Sequence, residues 1–172
     1  MKVSALGPTE YHSYYKQYIT ALEDVHLMNA LKSGLDNISN FVAQIPDSKM
    51  NFSYADGKWS VAEILIHLID AERVFQYRAL RFARGDKTEL QGFDQDLYVP
   101  QSSAEKRSKN DILEEFIAVR NSSCTLFNSF GDNELKRLGS ANGTPMSVRA
   151  LGFVICGHQK HHFRILKERY LV

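Results

Sequence analysis

Four long stretches of this chain repeat their apolar residues with the period of an α-helix, and that repetition limits the possible fold more than any other feature. The stretch from Val25 to Ile45 carries Leu27, Leu31, Leu35, Ile38, Phe41, Val42 and Ile45 on one face, and Pro46 ends it. From Ser60 to Arg84 the apolar face holds Val61, Ile64, Leu65, Leu68, Phe75, Ala79 and Phe82. Ser60 and Glu63 form a capping-box signature at its start, and Gly85-Asp86 supplies the stop. The third stretch, Ser108 to Phe130, opens on a cap of Ser108 and Asp111 and ends at Gly131. The fourth runs from Val148 to Arg169 behind Ser147. Helices of this kind must cover their apolar faces with one another, which predicts an all-α four-helix bundle.

The connections refine the prediction. Residues 85–107 contain Gly92 and Pro100 and are too long for a tight turn, so they read as a long crossover between helices two and three. Asn142-Gly143 predicts a small β-hairpin just before the last helix. Upstream, Thr9 can cap a helix over Glu10–Leu22, rich in tyrosine at Tyr11, Tyr14, Tyr15 and Tyr18. Residues 1–22 then form an N-terminal extension with a short helix. No repeat or low-complexity linker divides the chain, and residues 1–172 read as one domain, large enough to bury a core without a structural metal.

Charge narrows the function classes. With 21 basic and 20 acidic side chains interspersed, the chain has no basic patch suited to nucleic acid. No apolar run approaches membrane-spanning length and Met1–Pro8 lacks a secretory apolar segment, so a cytoplasmic protein without membrane contact is expected. Cys124 and Cys156 read as two reduced, partly buried thiols.

Chemistry concentrates in histidines. His158 and His162 stand four apart on the apolar stripe of the last helix, within roughly 40° of each other, beside Leu151, Ile155, Ile165 and Leu166. His67, among Leu65, Ile66, Leu68 and Ile69, offers a third imidazole from a second helix. Each ring nitrogen buried without a partner costs about 1–3 kcal/mol, which a shared metal resolves. The other reading is three core histidines satisfied by carbonyls or hydroxyls, and both stand at this point. His161 falls toward the stripe's edge, facing water or a carboxylate; His12 and His26 are expected at the surface. Glu63 and Asp70 lie one turn either side of His67 and can orient its ring or act as a base. Equally, Glu63 can close the capping box and Asp70 can pair with Arg73 or Arg78. Three neutral histidines with an open position suit a divalent metal, zinc, nickel or copper, with zinc or nickel expected first.

Several segments together resemble the DinB/YfiT superfamily of metalloenzymes. They are Gly57-Lys58-Trp59-Ser60-Val61-Ala62-Glu63 with His67-Leu68-Ile69-Asp70, Arg81-Phe82-Ala83-Arg84-Gly85-Asp86, Gly92-Phe93-Asp94, Ser147-Val148-Arg149-Ala150-Leu151, and Gly157-His158 through His162. The likeness spans about Leu22 to Leu171. It implies a four-helix bundle, commonly a homodimer, with His67, His158 and His162 at the family's metal-ligand positions. Relatives include hydrolase-like proteins and transferases using low-molecular-weight thiols such as bacillithiol or mycothiol. The expected function is a metal-dependent S-transferase or hydrolase acting on a small electrophilic substrate, with Arg78 and Arg81 as candidates to hold the carboxylates of a thiol cofactor. The competing expectation is a non-catalytic metal- or ligand-binding bundle in stress response.

Overall fold

The computed structural model describes residues 1–171. Its helices are α1 (Lys16–Thr20), α2 (Leu27–Ala43), α3 (Val61–Ala83), α4 (Gln95–Tyr98), α5 (Lys109–Asn128), α6 (Asp132–Lys136) and α7 (Val148–Arg169); β1 (Leu138–Ala141) and β2 (Thr144–Ser147) form the hairpin. The long helices α2, α3, α5 and α7 make the bundle, with α3 lying between α5 and α7. No described helix is long and apolar enough to cross a membrane.

Local chemistry sets the ends of these helices. Ser60 accepts from the Glu63 amide at 3.3 Å while Glu63 Oε2 accepts from the Ser60 amide at 2.6 Å, closing the expected box on α3. Ser108 and Asp111 do the same for α5, and Ser147 Oγ caps α7 by accepting from Ala150 at 3.1 Å. The hairpin pairs Ala141 with Thr144 across Asn142 and Gly143, whose φ values of +53° and +70° fit the turn that Asn-Gly favours.

The helix expected over Glu10–Leu22 is corrected: only Lys16–Thr20 is α-helical, behind a tight turn at Ser13–Tyr15. Tertiary partners claim Glu10 instead. Its carbonyl accepts from the Ser147 amide at 2.9 Å, and its carboxylate pairs with Arg149 and with the Gly7 amide. His12 Nδ1 then accepts from Tyr14, starting the turn two residues later. The crossover is also more structured than a loop. It contains α4, and Leu90 is stitched to β1 through Leu90 N–H to Ser140 O at 3.0 Å and Asn142 N–H to Leu90 O at 2.9 Å.

The core is two apolar clusters separated by a polar layer. In α3, Val61–Ile69 belongs to one cluster and Ala71–Ala83 to the other; in α7 the division falls between Cys156 and Phe163. Across that boundary lie His67, Glu72, Arg120, Ser123, His158 and Gln159, all buried. Arg120 holds Glu72 by two bonds, Nε to Oε1 at 2.7 Å and Nη2 to Oε2 at 2.8 Å, and Ser123 donates to Oε1 at 2.6 Å. Gly34 of α2 makes room for this pair, since a Cβ there would lie 2.3 Å from Arg120 Nη1.

A pair this deep adds little net stability while whole, yet stranding one partner is costly. Glu72→Gln is expected to lower the unfolding free energy by about 3–5 kcal/mol. The double change Glu72→Leu with Arg120→Met should recover most of it. Urea denaturation checks both, and a loss below about 1 kcal/mol for the single variant would contradict the pair's isolation from water.

Candidate metal centre

His67 projects from the first half of α3, and His158 and His162 project from adjacent turns of α7. The Nε2 atom of His158 lies 3.1 Å from Nε2 of His67 and 3.1 Å from Nε2 of His162. The candidate ligand atoms of the three rings all fall within 4.8 Å of one another. His67 and His158 are buried and His162 is partly so.

Protons alone cannot satisfy this arrangement. Each ring nitrogen has one in-plane position, which is either a lone pair or an N–H. His158 Nε2 can therefore share a proton well with one neighbour, and the other 3.1 Å contact is left without its own hydrogen bond. One cation facing three lone pairs satisfies all of them. A tetrahedral ion with metal–nitrogen bonds of about 2.0–2.1 Å separates its ligands by roughly 3.3 Å, close to the two 3.1 Å spacings around His158. The residues present thus fit a divalent metal of borderline softness.

The electrostatics point the same way. Burial drives the His67 pKa down to about 4 and that of His162 to about 3, the neighbouring rings adding to the latter. His158 is pushed well below its ordinary value by burial first and then by the other imidazoles. All three are neutral near pH 7, the state in which imidazole binds metal.

Aromatic packing orients the rings. Tyr18 sits edge-on to His158 with centroids 5.2 Å apart, Trp59 lies 4.8 Å from His67, and Phe75 is 6.3 Å from His158. Gly157 lets α1 approach this closely, because a Cβ would fall 2.1 Å from the Tyr18 carbonyl oxygen. None of these four contacts was specified by periodicity. The signals available were the tyrosine run that leads into α1, Trp59 within the family-like segment, and a glycine directly before His158 on a helix.

The other candidate residues divide. Glu63 is held in the α3 cap, and Asp70 faces Arg73 at 3.7 Å, its pKa raised by burial despite that charge. Neither hydrogen-bonds to a ring among the described residues. His161 is half-buried against Tyr18 and outside the convergent group, while His12 and His26 are exposed. Arg81 is tied to Asp86 and Tyr77, whereas Arg78 opens on the same cleft as His67 and His158. Cys124 and Cys156 are free thiols whose pKa values burial raises, that of Cys156 to about 12.

That cleft has a volume of about 740 Å³ and opens to solvent. The two histidines lie at its floor. Tyrosines of the N-terminal segment form one wall, α3 another, and the crossover with the tip of the hairpin a third.

Fold and site together define a helical bundle with a convergent three-histidine cluster between facing helices. Residues 30–166 match the DinB superfamily, and the chain belongs to it. A protein of Geobacillus thermodenitrificans (strain NG80-2) named "Putative metal-dependent hydrolase" is 26% identical over 149 residues, 86% of this chain and 79% of that protein. YfiT from Bacillus subtilis, described as a probable metal-dependent hydrolase with an unusual four-helix bundle topology, superposes with a TM-score of 0.73. Its sequence identity is 17%, over 95% of this chain and 90% of its own. A mycothiol-dependent maleylpyruvate isomerase superposes with a TM-score of 0.67 at 9% identity, over 82% of this chain and 60% of its own. At such identities the two structural likenesses establish shared fold.

Acid should destabilise the metal-free protein through this cluster. The unfolded histidines titrate near 6.5 and the folded ones near 4 or below, so in between only the unfolded chain binds these protons. Stability is full above pH 6.5 and lost as pH falls toward 4. Thermal unfolding with chelator present between pH 7 and 5, above the carboxylate range, is expected to show a falling midpoint. His67→Leu should show a shallower slope, and equal slopes would contradict the assignment.

Proposed function

We propose that this chain is a metal-dependent enzyme in which His67, His158 and His162 hold one divalent cation, zinc or nickel, and that it acts on a small electrophilic substrate. The observation that carries this reading is the convergence of three neutral imidazole nitrogens, two of whose rings, His67 and His158, line a solvent-open cleft. A cation bound there supplies Lewis acidity and lowers the pKa of a nucleophile brought against it.

The surrounding residues favour a thiol as that nucleophile. Water, with a pKa of about 15.7, gains from a side-chain base, whereas a thiol near 8.5 needs far less help. Of the carboxylates best placed by sequence, Glu63 is engaged in the α3 cap and Asp70 does not line the cleft, and the groups packed on the rings are Tyr18, Trp59 and Phe75. These aromatic side chains shield the histidines from bulk water and bias their orientation without taking a proton. The mycothiol dependence in the name of the isomerase supports this reading, and the hydrolase names of YfiT and the Geobacillus protein support metal dependence with water as nucleophile instead.

Metal analysis of tag-free protein is the first test. About one equivalent per chain is expected, falling at least tenfold in occupancy for His67→Ala and for His162→Ala at limiting metal. Unchanged content in both variants would overturn the shared site.

Turnover separates the chemistries. Metal-loaded protein is expected to conjugate a low-molecular-weight thiol to a chloro-aromatic electrophile. Ester or amide cleavage without thiol would assign hydrolysis, and metal binding with neither activity would leave a binding bundle.

A further inference from the structure

Among the described residues three arginines are buried, and two have carboxylate partners: Arg120 binds Glu72 and Arg149 binds Glu10. Arg78, 5% exposed, has none within ion-pair distance among the described residues. Its one hydrogen bond runs from Nη2 to the Gln91 carbonyl at 3.1 Å. The Tyr15 phenol and the Glu89 carboxylate lie near enough to feel its charge, yet neither closes an ion pair with it, and Nε and Nη1 are not among the buried polar atoms sealed from solvent, so they open on the cleft that Arg78 lines. A buried guanidinium left to a carbonyl is short of a counter-charge, because desolvating it is costly unless an anion is paired with it.

Its position on α3 says what that anion belongs to. Arg78 follows His67 by eleven residues, which returns it to within about 20° of the same helix face. Ala71 and Phe75 lie between them on the cleft wall. The two Cα positions are separated by roughly 16 Å along the axis, and since both side chains lean toward the helix N-terminus, the guanidinium and the imidazole stand at different levels of one cleft wall. The space between them is lined by small Ala71 and by Phe75 and Tyr15. Of the acidic groups on the facing elements, Asp94 accepts from the Asp96 amide at 2.9 Å, and Glu89, which accepts from the Gly143 amide at 2.7 Å and feels the Arg78 charge, stays outside ion-pair distance of it.

We infer that Arg78 is the anion-recognition residue of the cleft, and that the molecule bound there carries a carboxylate at one end, an apolar or aromatic body against Phe75 and Tyr15, and its reacting atom toward the histidines. The placement of the reacting end rests on the metal-dependent reading above, whereas recognition of the carboxylate by Arg78 does not. The carboxylate can belong to the electrophile or to a thiol co-substrate, and both present the same group to the guanidinium.

Calorimetric titration with 3-phenylpropionate and its neutral amide, on metal-loaded and chelator-treated protein, tests this directly. The carboxylate is expected to bind at least tenfold more tightly than the amide in both forms, and Arg78→Gln should abolish that preference. Arg78→Lys should retain part of it, since charge survives while the planar fork is lost. The wild-type comparison needs no variant to fold. Equal binding of acid and amide would overturn the inference, as would a preference that survives in Arg78→Gln or vanishes with the metal. If turnover fails with every thiol while the preference persists, the reaction assignment fails and the anion site stands. Where turnover is found, Arg78→Gln should raise KM for whichever partner carries the carboxylate and leave kcat nearly unchanged. An unchanged KM for both carboxylated partners would also overturn it.

Discussion

The register between α3 and α7 is the constraint on which the site depends. Three imidazoles from two helices meet at one point only if His67 stands level with the turn between His158 and His162. A slip of one residue in either helix would swing its rings by about 100° and disperse the cluster. Contacts at several levels hold that register. Capping by Ser60 and Ser147 fixes where each helix starts, and Glu10 ties the N-terminal segment to the first turn of α7 through Ser147 and Arg149. Gly157 then admits the backbone of Tyr18 against the face that carries His158.

The same arrangement places polar groups where a bundle of this size would otherwise have continuous apolar core. His67, His158, Glu72, Arg120 and Gln159 separate the two apolar clusters. The ion pair in this layer is held by two direct bonds and a serine hydroxyl that leave Arg120 Nη1 unpartnered, and the imidazoles are satisfied incompletely by one another. His162 Nδ1, Arg120 Nη1 and Gln159 Oε1 are buried with no hydrogen-bond partner among the described residues. Violations of core chemistry gathered at one place, within otherwise consistent packing, are a mark of function rather than of poor folding. Burial that costs stability also keeps the rings neutral, which is the condition for metal binding.

Much of this was legible in the sequence because it is locally encoded. The helix period, the capping boxes at Ser60 and Ser108 and the Asn142-Gly143 turn depend on residues within a few positions of one another. The histidine trio was legible because imidazoles on an apolar stripe leave polar nitrogens in need of partners. What was not legible depends on distant partners. Glu10 leaves the expected helix because Ser147 and Arg149 claim it from the far side of the chain, and Glu72 meets Arg120 across 48 positions. Helical spacing put Glu63 and Asp70 within reach of His67, yet spacing is silent about tertiary surroundings: the α3 cap engages Glu63, and Asp70 sits beside Arg73 and does not line the cleft. Arg78 and Arg81 looked equivalent in sequence, but one faces the cleft and the other folds back on Asp86.

The claim that the three histidines form one metal site is tested most directly by anomalous diffraction from crystals of the zinc- or nickel-loaded protein, measured either side of the metal's absorption edge. The account expects one dominant peak per chain, bonded to Nε2 of His67, His158 and His162 with its remaining coordination position toward the cleft. A peak that omits His67, or an empty cluster with the metal bound elsewhere, would contradict it.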